Sequence, residues 1–183
     1  MFHRTERLLL RPVFFEDWQA IHAAMDDFGV VSMLARAPWP YGEVDAREFV
    51  LQSPARRTPR FMITLPGGEG SAVIGCIGMD ASDEGIELGY WIARNHWGQG
   101  YATEAGRAAV EIARMLGHTR LLAGHATDNP ASGRVLSKLG FEATGEIRNQ
   151  FSRGRDGVAA VRRMALQLCA AGCDDSGPQL RAA

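Results

Sequence analysis

Residues 91–105 read Trp-Ile-Ala-Arg-Asn-His-Trp-Gly-Gln-Gly-Tyr-Ala-Thr-Glu-Ala, and the fold turns on this stretch. A strand ends, two glycines two residues apart permit a tight backbone path, and a helix starts at once. Gly98 and Gly100 carry no Cβ, so the main-chain N–H groups between Trp97 and Thr103 are free to turn inward and approach a ligand closely. The helix's own first amides lack intrahelical partners and join the same donor cluster. Such a nest suits a phosphate or diphosphate. Each hydrogen bond to a charged oxygen contributes about 1.5–3 kcal/mol, against roughly 0.3–1 kcal/mol for the helix dipole at an exposed site. Three or four loop amides therefore outweigh the dipole, and the glycines matter more than any charged neighbour. An isolated pair of such glycines is often only a strand-to-helix turn. The segment is not a P-loop, because it has no lysine. Nor is it the dinucleotide fingerprint, because Thr103 stands where a third glycine belongs.

Working outward, Ile86 to Ile92 alternates as a strand, with Ile86, Leu88, Tyr90 and Ile92 on one face and Glu87, Gly89 and Trp91 on the other. After the loop, Tyr101, Ala105, Ala108, Ala109, Ile112 and Leu116 make one helical stripe, which Gly117 ends. Arg120 to Ala126 is a strand. Asn129 and Pro130 then set an N-cap and a first-turn proline for a helix that stops at Gly140. Two more strands flank the turn 153–157. On the N-terminal side, Arg7 to Val13 reads as a strand, Glu16 to Met25 as a helix, and Asp26 to Gly42 as irregular. Val44 to Gln52 reads as a helix, and Arg60 to Leu65 and Ala72 to Met79 as a hairpin closed by Pro-Gly-Gly-Glu-Gly. The order predicts an α+β fold: a mainly antiparallel sheet with one parallel crossover in its middle.

The 183 residues suit one domain over residues 1–168, with 169–183 read as a disordered tail. Apolar residues at 46% and charged residues at 22% are ordinary for a globular chain, and a net charge of −1 draws it to neither nucleic acid nor an acidic membrane. No stretch approaches the ~20 apolar residues of a membrane span. Three cysteines without a leader argue for a reducing, cytoplasmic setting, and no metal-ligand spacing is present, so no metal is expected.

The segment Trp-Gly-Gln-Gly-Tyr-Ala-Thr-Glu-Ala (97–105) closely resembles the GNAT superfamily of acyl-coenzyme A-dependent N-acyltransferases. So do Glu-Leu-Gly-Tyr-Trp-Ile-Ala (87–93) before it and Asn-Pro-Ala-Ser-Gly-Arg-Val-Leu-Ser-Lys-Leu-Gly-Phe-Glu (129–142) after it. Within that superfamily the chain is most similar to the branch that includes ribosomal-protein N-terminal acetyltransferases, over roughly residues 5 to 168. The resemblance implies a central sheet of six to seven strands with a splayed parallel pair, flanked by about four helices. It implies acetyl-CoA as cosubstrate, an amine acceptor, and a homodimer in many members. It assigns the diphosphate to the amides from Trp97 to Thr103, including Gln99, Tyr101 and Ala102. It assigns the pantetheine arm to the backbone at Ile92 and Arg94, and cofactor contact to Asn129. Asn95 stands where the family pattern has Gln or Arg.

An amine that attacks a thioester must arrive neutral, and the leaving thiolate must gain a proton. An N-terminal amine, pKa about 7.7–8.0, is roughly a tenth neutral at pH 7, whereas a lysine amine is neutral only about 0.04% of the time. An α-amine acceptor thus manages with a weak or water-relayed base. Glu87 is the candidate base; its bland alternative is a solvated glutamate or one paired with an arginine. The resemblance places a tyrosine acid at a slot that is Leu136 here, and offers Ser132 as the substitute; a local hydroxyl-to-backbone bond is the alternative for Ser132. Asn129 is equally a helix N-cap. His125 is a further, weaker candidate base. Trp39 and Tyr41 are candidates to line the acceptor pocket, or else pack a proline-flanked loop. The competing function is a non-catalytic acyl-CoA-binding sensor or scaffold of the same fold.

Overall fold

The computed structural model describes residues 1–52, 57–67 and 70–168. The tail expected over 169–183, with Cys169 and Cys173, lies outside the described residues, as do Gly68 and Glu69 of the first hairpin turn.

Among the described residues eight strands form one sheet in the order β1-β2-β3-β4-β5-β6-β8-β7. They are β1 His3–Arg4, β2 Leu9–Pro12, β3 Arg60–Gly67, β4 Gly70–Ser82, β5 Gly85–Ile92, β6 Arg120–Ala126, β7 Glu142–Ser152 and β8 Gly157–Gln167. The helices are α1 Trp18–Met25, α2 Phe28–Val31, α3 Glu43–Leu51, α4 Tyr101–Met115 and α5 Pro130–Lys138. The α+β class and the single parallel pair, β5 with β6, are as the sequence implies.

Three expectations need correction, each for a local reason. The strand expected over Arg7–Val13 is the single strand β2, and the short β1 precedes it, because Thr5 folds the chain back: its amide donates to the Leu8 carbonyl (2.9 Å) and its hydroxyl accepts the Leu8 amide (3.0 Å). Among the described residues this brings the count to eight rather than six or seven. The helix expected from Glu16 starts at Trp18, because the Asp17 carboxylate takes the Phe14 amide (2.7 Å) and the Arg11 guanidinium (2.6 Å), holding 15–17 as a 3-10 turn. The segment 26–42, read as irregular, contains the short α2, whose N-cap Asp27 accepts the Val30 amide at 3.2 Å. Among the described residues the α-helices number five, against the expected about four.

The sheet separates two cores. On one side α4 and α5 bury Ala105, Ile112 and Leu136 against Leu10, Phe61, Ile63, Ile77 and Leu88. On the other, α1, α2 and α3 bury Ile21, Val31 and Ala46 against Met62 and Cys76, with Trp91 packed beside them. The alternation read in β5 therefore holds, and each face of that strand meets a different set of helices. Arg120–Ala126 and the helix after Asn129 lie where their caps predict.

Candidate active site: a parted pair of parallel strands

β4 and β5 pair along eight residues, from Gly75–Ile92 to Ser82–Gly85. β5 and β6 pair at one position, Glu87 with Leu122. Beyond it the two strands part, and backbone groups that a ladder would consume line an opening instead. A cleft of about 1180 Å³ runs through this parting, from Trp97, Gly98 and Gly100 past Tyr90, Ser132 and Glu87 to Tyr41 and Phe49.

The glycine loop forms one end. Gly98 (φ 74°) and Gly100 (φ 82°) both occupy the left-handed region, where a residue with a Cβ is strained. Gly100 is also the N-cap of α4, and its carbonyl accepts the Glu104 amide at 3.0 Å. No hydrogen bond to a described residue occupies the amides of Gly98 through Thr103. The wall is braced by Trp97, whose indole donates to the Ile92 carbonyl (2.6 Å), while the Gln99 amide group donates to the Asn95 carbonyl (3.1 Å). The Arg94 guanidinium lies over the Trp97 ring, 4.8 Å from its centroid, and pairs with Asp27 at 3.7 Å. Behind the loop, Glu104 gathers the N-terminal segment: Thr5 donates at 2.6 Å, the Arg7 amide at 2.8 Å and Arg7 Nε at 2.7 Å. Arg7 also covers Tyr101 and, with Arg107 and Lys138, borders a second cavity of about 430 Å³ beside Gly100 and Thr103.

Ser132 sits on the α4–α5 face. Asn129 Oδ1 caps α5 by accepting the Ser132 amide at 3.1 Å. The Ser132 hydroxyl makes no local backbone bond; it lies 2.9 Å from the Tyr90 hydroxyl. Burial pushes the Tyr90 phenol up from its ordinary range, and the Ser132 hydrogen bond acts in the opposite direction. His125 Nδ1 donates to the Ala126 carbonyl (2.9 Å), and its ring abuts Gly133, where a Cβ would stand 2.9 Å from Nε2.

Glu87 projects from the opposite face. Its Oε1 accepts Arg163 Nη1 at 2.7 Å; this arginine is 8% exposed and arrives from β8. The guanidinium crosses β6 at Gly124, the residue directly opposite Arg163, where a Cβ would stand 3.2 Å from Nη1. Tyr41 is buried in the cleft wall, and its phenol is pushed up to about 12, first by burial and then by the Asp45 charge. Trp39 instead packs edge-on against Phe28, ring centroids 5.4 Å apart, and does not line the cleft.

Residues 7–142 match the model of the acetyltransferase (GNAT) domain. The chain belongs to the GNAT acetyltransferase family. It is 27% identical over 155 residues to YnaD of Bacillus subtilis (strain 168), named an uncharacterized N-acetyltransferase, covering 83% of this chain and 89% of that protein. The structure of a GNAT-family acetyltransferase from Bacillus anthracis superposes with a TM-score of 0.77 at 25% identity, covering 91% of this chain and 98% of that one. The spermidine N-acetyltransferase from Vibrio cholerae, solved with CoA and spermine, gives 0.71 at 19% identity over 91% and 98%.

In this GNAT chain the cleft gathers Tyr41, Glu87, Ile92, Trp97, Gly98, Gly100, Tyr101, Ala102, Thr103, His125, Asn129 and Ser132 of the residues singled out by sequence. Gln99 faces Asn95, and Arg94 points its side chain toward α2. Three contributors were not found by sequence reading: Tyr90, Arg163 and Gly124. The alternation of β5 shows Tyr90 only as a member of the apolar face, and its partner is 42 residues away. Leu136, in the slot of the absent tyrosine acid, is 1% exposed and belongs to the core. Among the described residues no helix is long and apolar enough to cross a membrane.

Proposed function

We propose that this acetyltransferase takes its acetyl group from acetyl-CoA and delivers it by direct attack to a primary amine, either a peptide or protein N-terminus or a small molecule. One observation carries the reading: β5 and β6 part beside a row of unpaired amides, with Glu87 on one face of the opening and Ser132 on the other. In this reading the amides from Gly98 to Thr103 hold the diphosphate. The Ile92 carbonyl, which keeps a lone pair beyond the one Trp97 uses, and the Arg94 amide pair with the pantetheine arm. Asn129 has donors free toward the cofactor while its oxygen caps α5.

The acceptor enters from the Glu87 face, past Tyr41. Glu87 keeps Oε2 for the amine proton while Arg163 holds Oε1. An α-amine acceptor asks least of this base, because about a tenth of it is already neutral at pH 7. The thiol in the cleft wall, Cys76, is buried and pushed up to about 12, chiefly by burial, so a covalent acyl-cysteine intermediate is disfavoured and direct attack is the simpler route.

Calorimetry with acetyl-CoA, followed by thiol release with N-terminal peptides, lysine-containing peptides and spermidine, tests the reading. Binding plus release with at least one amine is expected. Absence of heat at millimolar acetyl-CoA overturns the cofactor. Heat without thiol release from any amine assigns the chain to the sensor reading, which the ion-paired state of Glu87 favours.

A further inference from the structure

We propose that Tyr90 supplies the proton taken up by the leaving thiolate, passing it through Ser132. The proposal rests on the acetyl-transfer reading above and adds to it a source for the proton that reading requires. When the carbon–sulfur bond breaks, its electron pair stays on sulfur, and the thiolate must gain a proton or remain a good nucleophile toward the new amide. Ser132 is the hydroxyl on the thioester side of the parted strands. An alkyl hydroxyl is a far weaker acid than a thiol, so it relays a proton but is not its net origin. A phenol is better matched, with an ordinary pKa of about 10 against about 8.5 for a thiol.

The structure puts a phenol where this chemistry needs one. Tyr90 comes from β5 on the same face as α5, its hydroxyl lies 2.9 Å from Ser132 Oγ, and both residues line the cleft. The hydroxyl has no other hydrogen-bond partner among the described residues. Burial keeps the phenol protonated before transfer, and the Ser132 hydrogen bond stabilises the phenolate formed by it. The helix α5 offers no phenol of its own, since Leu136 is core. Of the other tyrosines, Tyr101 lies under Arg7 and Tyr41 belongs to the acceptor side. His125 spends its Nδ1 proton on the Ala126 carbonyl. As the C–S bond breaks, the Ser132 proton moves to sulfur and the Tyr90 proton moves to Ser132 Oγ. Thiol and tyrosinate result, while the amine proton leaves through Glu87. The tyrosinate then regains a proton from solvent in the open cleft.

The test uses the full chain, acetyl-CoA and an alanine-initiated peptide. Tyr90→Phe is expected to lower kcat about 100-fold, the low end of general-acid effects, with acetyl-CoA affinity within twofold. The double variant with Ser132→Ala should fall no further than either single one. Fluorinated tyrosines at position 90, nearly isosteric and progressively more acidic, should move the alkaline fall of kcat to lower pH in step. Wild-type kcat in Tyr90→Phe, or an alkaline fall that ignores fluorination, overturns the proposal. A measurement independent of turnover is NMR of ring-labelled tyrosine: adding CoA should shift the Tyr90 signal, and Ser132→Ala should raise its titration midpoint. A Tyr90 signal blind to CoA, in a protein that calorimetry shows to bind CoA, also overturns it. No turnover by the wild type with any amine is instead the failure of the function proposed above.

Discussion

On the α4–α5 face of β5 the cleft is built largely from main-chain atoms, whereas on the α1–α3 face it is built from side chains that arrive from separated segments. The first face owes its donors to two left-handed glycines and the opening turn of α4, all within seven residues. The second depends on Arg163 crossing from β8 to Glu87, on Tyr41 before α3, and on the turn after β7 holding residues 32–37 in place. That turn is latched by the Ser152 hydroxyl to the Leu34 carbonyl (2.9 Å), the Arg153 amide to the Ala35 carbonyl (3.0 Å) and Arg155 to Asp128 (2.7 Å). On the proposed function the difference is a division of labour: a backbone cradle is indifferent to most substitutions, so it suits the acyl donor, while the side-chain wall is free to vary with the acceptor.

The largest effect expected is on the cradle. Gly100→Val places a β-branched residue at φ 82°, and an added Cβ meets nothing closer than Arg7 at 3.5 Å, so the damage comes through the backbone. Losing one or two amide contacts at about 1.5–3 kcal/mol each weakens acetyl-CoA binding at least about tenfold, and by more than about 100-fold where both are lost, read by calorimetry. An unchanged affinity would mean the donor is not held by these amides. On the other face Glu87→Gln leaves acetyl-CoA affinity alone and lowers kcat by about 100-fold for a lysine side-chain amine. The loss is smaller for an α-amine, because that acceptor needs less help to lose its proton. Equal losses for the two amines would remove Glu87 as base.

A finer probe separates position from chemistry. Gly124→Ala leaves both Glu87 and Arg163 in the chain but puts a methyl 2.8 Å from Val161 Cγ1 and 3.2 Å from the guanidinium. Arg163 must then move, and kcat falls by about tenfold, a displacement effect smaller than removal of the group itself. A variant as active as wild type would show that the Arg163–Glu87 pair is structural only.

This contrast also explains what was legible in the sequence. Glycines at 98 and 100, the Asn129–Pro130 cap and the alternation of β5 are local patterns, so the loop, α4, α5 and the faces of β5 could be read residue by residue. The pairs that complete the site span 42 residues for Tyr90 with Ser132, 76 for Arg163 with Glu87 and 118 for Ser152 with Leu34. Such pairs depend on which strand lies beside which, and on register; neither leaves a trace within one segment. Even the arginine alternative for Glu87 was visible only as a type of partner, not as Arg163.

The smallest effect concerns how the cradle is anchored. Glu104 follows the loop by one turn and ties α4 to Thr5 and Arg7. Burial works to raise its carboxyl, yet the hydrogen bonds from Thr5 and Arg7 prevail and hold it below its ordinary 4.5. A group depressed in the folded state adds stability that is present above its unfolded pKa and is lost as pH falls through the folded one. The stabilisation is therefore complete at neutral pH and fades below about 4.5. Glu104→Gln, which keeps one acceptor and removes the charge, should cost about 1 kcal/mol at pH 7, in the range of a single hydrogen bond. The wild-type and variant melting temperatures should converge as the pH drops beneath that value. The same variant should bind acetyl-CoA only slightly more weakly, because the cradle's amides remain. A loss of affinity as large as that of Gly100→Val would mean that the loop's shape is imposed by the N-terminal segment rather than by its own glycines.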